Sequence, residues 1–127
     1  MAIRTELSLR LPNSPGALGR ACRILGDERV NVIALTVERG GTLRMVVDNP
    51  LRAAGALAEH GHVVEQRSVL FLEVPNGPGA LGRAAGLLAA ADVNIEYAYA
   101  SAIESQPLAA VVVGAEDAER AATAAGV

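Results

Sequence analysis

Two asparagines, Asn13 and Asn76, occupy the same place in two nearly identical runs, Pro-Asn-x-Pro-Gly-Ala-Leu-Gly-Arg-Ala at residues 12–21 and 75–84. Each run follows an alternating apolar stretch and leads into helical spacing, so it reads as a strand handing over to a helix. Pro15 and Pro78 are expected at the first helical position, and Gly16 and Gly79 leave the next turn without a side chain. Amides at a helix start have no intrahelical acceptor and lie at the positive end of the helix dipole, so they can receive an anion such as an α-carboxylate. An asparagine at the rim adds a group that accepts from an ammonium and donates to a carboxylate without burying a charge. Asn31 and Asn94, which open the next strand in each copy, can serve the same way. The competing reading is structural: Asn13 and Asn76 cap or shape the turn, and Asn31 and Asn94 accommodate a turn conformation.

The remaining candidates for chemistry are thin. The spacing of Gly16-x-x-Gly19 is not that of a dinucleotide loop, and the chain has no lysine to reach a phosphate. His60 and His62 flank Gly61 without further ligands nearby, which reads as a solvated turn, and no metal is expected. Cys22 lies in an apolar helical pattern and reads as a small core residue. Near the motif only Ser14, Arg20 and Arg83 accompany the amides, which supplies neither a nucleophile with a base nor paired carboxylates. No catalytic residue and no cofactor are therefore assigned.

The elements that must position these residues come from a duplication. Shifted by 63 residues, Pro12–Leu35 falls on Pro75–Ala98 with 12 of 24 positions identical and no gap. Leu7–Leu11 and Leu70–Val74 alternate as the first strand of each copy. Leu18, Ala21, Cys22 and Leu25, matched by Leu81, Ala84, Ala85 and Leu88, form the apolar stripe of a helix. Residues 30–37 and 93–101 are expected as second strands. Gly40-Gly41 marks a hairpin into a third strand at 42–48, and 108–113 is its counterpart. Asn49 caps and Pro50 opens a second helix that ends at Gly61, matched by 116–125. Residues 62–66 supply a fourth strand. The order βαββαβ predicts an α+β fold: two ferredoxin-like modules in tandem, at 1–66 and 67–127, each an antiparallel sheet with both helices on one face. The second copy lacks its last strand, so its first strand is expected to be covered by the other module or a partner chain.

Hydrophobic residues make up 51% of the chain and aromatics 2%, so the core must be built from Ala, Val and Leu. A net charge of −3 with scattered arginines speaks against nucleic acid. No membrane span or leader is expected, and the protein reads as soluble and cytoplasmic. In the second strand, Ile33, Leu35 and Val37 are expected opposite Val32 and Ala34. Both faces would then be apolar and the protein would form a homodimer. Tyr97 and Tyr99 share a face with Ile95 and are expected in the core or at a module interface, the alternative being that they line the ligand site.

Strand, Asn-x-Pro-Gly-x-Leu, helix, then Val-Asn-Val or Val-Asn-Ile resembles the ACT domain, a regulatory module of amino-acid metabolism, and both copies carry the pattern. The resemblance implies a stand-alone regulatory protein that binds an amino acid between the strand-helix loop of one module and the second strand of a neighbour. On that basis the ligand-binding residues are Asn13, Ser14, Gly16, Ala17 and Leu18, with Asn31 and Val32. In the second copy they are Asn76, Gly77, Gly79, Ala80 and Leu81, with Asn94 and Ile95. Such modules ordinarily regulate an enzyme in the same chain, but the two repeats leave no stretch for one here, so any regulated enzyme is expected to be a separate protein. A protein-interaction subunit that has kept the fold without the ligand is the alternative. Serine-binding members place a His two residues before the first Asn, where this chain has Leu11 and Val74.

Overall fold

The computed structural model describes residues 2–126, which form six strands and four helices. In chain order these are β1 (Ile3–Arg10), α1 (Ala17–Asp27), β2 (Val32–Val37), β3 (Thr42–Val47), α2 (Pro50–Glu59), β4 (Glu65–Pro75), α3 (Ala80–Ala90), β5 (Tyr97–Ser101), β6 (Leu108–Gly114) and α4 (Ala118–Ala125). They divide into two compact units, Thr5–Arg67 and residues 68–126 with residues 2–4.

In the first unit β3 lies between β2 and β1 and is antiparallel to both. Leu7 and Leu9 of β1 and Leu43, Met45 and Val47 of β3 meet Ala17, Ala21 and Leu25 of α1 and Ala53 and Leu57 of α2 in an aliphatic core. The opposite face carries Glu6, 2% exposed, with its carboxylate 3.6 Å from the Arg44 guanidinium, which also donates to Glu38. In the second unit β6 lies between β4 and β5, again antiparallel. Leu70, Leu72, Val111 and Val113 pack there on Leu88, Ala121 and Ala122.

Three sequence expectations change. The fourth strand expected at 62–66 is instead the start of one strand, β4, which begins at Glu65 and runs on through Pro75. No Gly or Pro stands between Gln66 and Leu72 to turn the chain, so the two expected strands fuse. The partner expected along the second copy's first strand is residues 2–4. The Phe71 amide donates to the Ala2 carbonyl at 2.6 Å, and the Arg4 guanidinium sits 4.7 Å from the centre of the Phe71 ring.

The third concerns β2. Its register slips between Val32 and Ala34, so Leu35 lies opposite Met45 and Val37 opposite Leu43. Partners directly opposite share a face, and Met45 and Leu43 belong to the core. The slip at Ile33 therefore puts Val32, Leu35 and Val37 on the core side and Ala34, beside Val46, on the other face, where both are buried, so the strand departs from the strict alternation expected. Tyr97 and Tyr99, opposite Gly114 and Val112, lie on the face away from the helices, half-buried and stacked with ring centres 6.5 Å apart. A Cβ added at Gly114 would fall 2.2 Å from the Tyr97 ring.

Both first helices of the repeat end alike. The Val30 and Val93 amides reach back to Leu25 and Leu88, and Arg29 (φ 57°) and Asp92 (φ 59°) take the left-handed conformation that glycine usually fills. This places the turn conformation two residues before Asn31 and Asn94, so those asparagines do not supply it. Arg29→Gly is expected to raise unfolding stability by about 0.5 kcal/mol, the relief of left-handed strain less the entropy gained by the unfolded chain. Urea denaturation measures it.

Candidate functional site

The repeated motif folds into the same two turns in both units. The Ser14 amide donates to the Pro12 carbonyl and the Gly77 amide to that of Pro75, closing a three-residue turn around each motif asparagine. Ser14-Pro15-Gly16-Ala17 then makes a type II β-turn, with Gly16 at φ 84° and ψ −2° and the Ala17 amide 3.4 Å from the Ser14 carbonyl. Gly77-Pro78-Gly79-Ala80 repeats it. The prolines thus sit in the turn before the helix, and Gly16 and Gly79 hold the capping position. The reason is the glycine: a type II turn needs a positive φ at its third residue, which postpones the helix by two residues.

A glycine cap brings no side chain to the helix start, and neither helix has a side-chain cap. After the Ala17 amide is turned to Ser14, the next intrahelical bond is from Arg20 to Gly16. The Leu18 and Gly19 amides are left for an outside acceptor.

In the first unit this loop is one wall of a cleft of about 590 Å³, a size typical of small-ligand sites. Pro12, Asn13, Ser14 and Gly16 through Gly19 line one side. Arg10 and Leu11 lie at its base, and Val37 through Gly41 form the other wall. The hairpin is held close: the Leu11 amide donates to the Gly41 carbonyl at 2.8 Å, and Gly41 has φ 94°. A Cβ on Gly41 would lie 2.9 Å from the Leu11 carbonyl oxygen. Gly41→Ala is expected to cost about 2 kcal/mol and push the wall outward. A lowered urea midpoint and changed amide shifts at Leu11 and Arg39 would show it.

The two motif asparagines differ. Asn13 is exposed, lines the cleft, and its side chain has no hydrogen-bond partner among the described residues. Asn76 spends both amide hydrogens on its own unit, donating to the Ile103 and Gln106 carbonyls at 2.9 Å each, while its backbone amide donates to Pro107. It pins the connection 102–107 between β5 and β6, six residues where the first unit has four at 38–41.

Of the other sequence candidates, Ser14 accepts from Arg20 at 3.3 Å, Ala17 and Ala80 are buried beneath the turns, and Leu18 and Leu81 are exposed. Asn31 and Val32 are not brought to the Asn13 loop of their own unit: β1 and β2 run parallel, both antiparallel to β3, so the end of β1 and the start of β2 lie at opposite ends of the sheet. The Asn31 amide bonds to the Asp48 carboxylate at 3.0 Å. The same registers separate Asn94 from Asn76. Val32 and Ile95 pack on the two cores. The hairpin wall and Arg10 were not identified from sequence, although the order βαββ implies that the first strand's exit and the hairpin meet at one end of a sheet.

His60 and His62 line an adjoining groove with Arg20, Arg23, Ile24 and Asp27, which shares Pro12 and Ala17 with the cleft. His60 Nδ1 lies 2.9 Å from the Ala56 carbonyl, at the end of α2. Cys22 is half-buried in α1 rather than in the core proper. Among the described residues no group of three or more His, Cys, Asp or Glu could hold a metal ion, and no helix is long and apolar enough to cross a membrane.

With this geometry in place, comparison with known proteins identifies the fold. No curated protein matched by sequence. A protein from Bacteroides thetaiotaomicron superposes with a TM-score of 0.88 at 31% identity, over 97% of this chain and 86% of that one. The ligand-free regulatory subunit of aspartate kinase from Thermus thermophilus gives 0.70 at 19% identity, over 98% and 90%. E. coli aspartokinase III in complex with lysine and aspartate gives 0.60 at 18% identity, over 95% of this chain and 30% of that one. These last two likenesses concern the fold. Residues 68–125 match the family model of the ACT domain, the turn and helix that open this segment recur in the first unit, and the chain therefore belongs to the ACT domain family, with ferredoxin-like modules in tandem.

Proposed function

We propose that this protein is a regulatory sensor that binds a free amino acid in the Asn13 cleft of its first unit and performs no catalysis of its own. The observation that carries the reading is the cleft itself, where an unpartnered asparagine amide and the open Leu18 and Gly19 amides converge on one small space. The amides suit an α-carboxylate, and the Asn13 side-chain oxygen suits an α-ammonium. The aspartokinase III structure, whose ligands are lysine and aspartate, supports an amino acid as the ligand class. The aspartate kinase regulatory subunit supports action on a separate enzyme of amino-acid metabolism. Among the described residues β2 pairs only with β3, and Leu35 and Val37 beside its open edge are 37% and 42% exposed, which supports edge-to-edge pairing in a homodimer.

A thermal-shift screen of the purified protein against the proteinogenic amino acids tests this reading. A ligand at 100 times its dissociation constant stabilises the folded state by about 2.7 kcal/mol. A selective upward shift is expected. No shift with any amino acid would favour a ligand-free interaction subunit.

A further inference from the structure

We infer that the ligand of the Asn13 cleft carries a second negative charge, on its side chain: an acidic amino acid rather than a neutral or basic one. The inference rests on the proposed sensor reading and adds the side-chain class. Arg10 at the base of the cleft and Arg39 on its hairpin wall are both exposed, and neither has an ion-pair or hydrogen-bond partner among the described residues. The one acidic residue lining the cleft, Glu38, is engaged by Arg44, which bridges it to Glu6. The lining groups Arg10, Arg39 and Glu38 sum to +1 in a chain whose net charge is −3, and the negative member is held by Arg44. Once the helix-start amides hold the α-carboxylate, two free guanidiniums remain, and a guanidinium fork fits a second carboxylate with paired donors.

The second copy supplies an internal control. Arg20 and Arg83 recur in it with the same pose, each Nη1 about 3 Å from where the Cβ of Gly16 or Gly79 would be, 3.1 and 3.0 Å respectively. These two belong to the turn. Arg10 and Arg39 do not recur: Glu73 stands 63 residues after Arg10, and the connection 102–107 holds Glu104 and no basic residue. The positive charge is thus confined to the copy whose asparagine is free, and absent from the copy whose asparagine is bonded to its own loop.

Calorimetric titration of the whole protein with L-aspartate, L-glutamate, L-asparagine, L-glutamine and L-lysine tests this, in low and high sodium chloride. One of the two acids is expected to bind about tenfold or more tighter than its amide, with an affinity that falls as salt rises. Arg10→Gln and Arg39→Gln, at exposed and unpartnered positions, are expected to melt as the parent does, to lower the acid's affinity about tenfold, and to leave the amide's unchanged. If lysine or an amide binds as tightly as the acids, or if neither arginine substitution alters acid binding, the side-chain assignment is overturned while the sensor reading stands. If no amino acid binds, both are overturned.

Discussion

An Asn13→Ala variant is expected to melt at the parent temperature and to lose amino-acid affinity by about tenfold or more, while Asn76→Ala is expected to do the reverse. The two residues are equivalent in sequence, which makes the contrast informative. The Asn13 side chain has no partner among the described residues, so truncation removes no hydrogen bond seen in the fold. Asn76 holds two carbonyls of the 102–107 connection, and their loss is expected to cost about 1–2 kcal/mol of unfolding free energy, the lower part of the range for two neutral bonds at an exposed site. Thermal melting with and without the amino acid found by the screen reads both effects. Unchanged affinity in Asn13→Ala would refute the placement of the ligand; unchanged stability in Asn76→Ala would refute its structural role.

The largest stability effect is expected at the Glu6–Arg44 pair. Glu6 is 2% exposed on the sheet face away from the helices, and Arg44 reaches it at 3.6 Å while also holding Glu38 of the hairpin. Removing the cation takes a counter-charge away from a buried carboxylate, so Arg44→Met is expected to cost about 3 kcal/mol. The side chain of Arg44 is 22% exposed and can turn to water if Glu6 is removed, so Glu6→Met is expected to cost less. The double variant replaces both charges with apolar groups and is expected to recover most of the Arg44→Met loss. A double-mutant cycle by urea denaturation checks this, and additive losses would show that the two charges do not interact. The cycle also bears on function, because Arg44 fixes Glu38, and with it the electrostatics of the cleft wall.

The element order and the duplication were legible in the sequence because they rest on local signals. Alternation at Leu7, Leu9 and Leu11, helical spacing at Leu18, Ala21 and Leu25, and the Asn49-Pro50 start of α2 each depend on residues close in the chain. Where the reading relied on uninterrupted local patterns it failed. A slipped register at Ile33 moved Leu35 and Val37 to the core side, and the lack of a breaker after Gln66 joined two strands into β4.

The Asn-x-Pro-Gly signal by itself determined a strand-helix turn with exposed amides, and it determined this twice, since a type II turn follows from Pro and Gly at adjacent positions wherever they occur. What each copy does with that turn was decided only by the tertiary structure. Asn13 faces a cleft because a four-residue hairpin, drawn in by the Leu11–Gly41 bond, stands across from it. Asn76 is tied down because a longer connection folds back to within reach of its amide. The physical reason is sequence distance: the groups that free or engage each asparagine lie about 25–30 residues along the chain, and only strand pairing brings them within hydrogen-bond range.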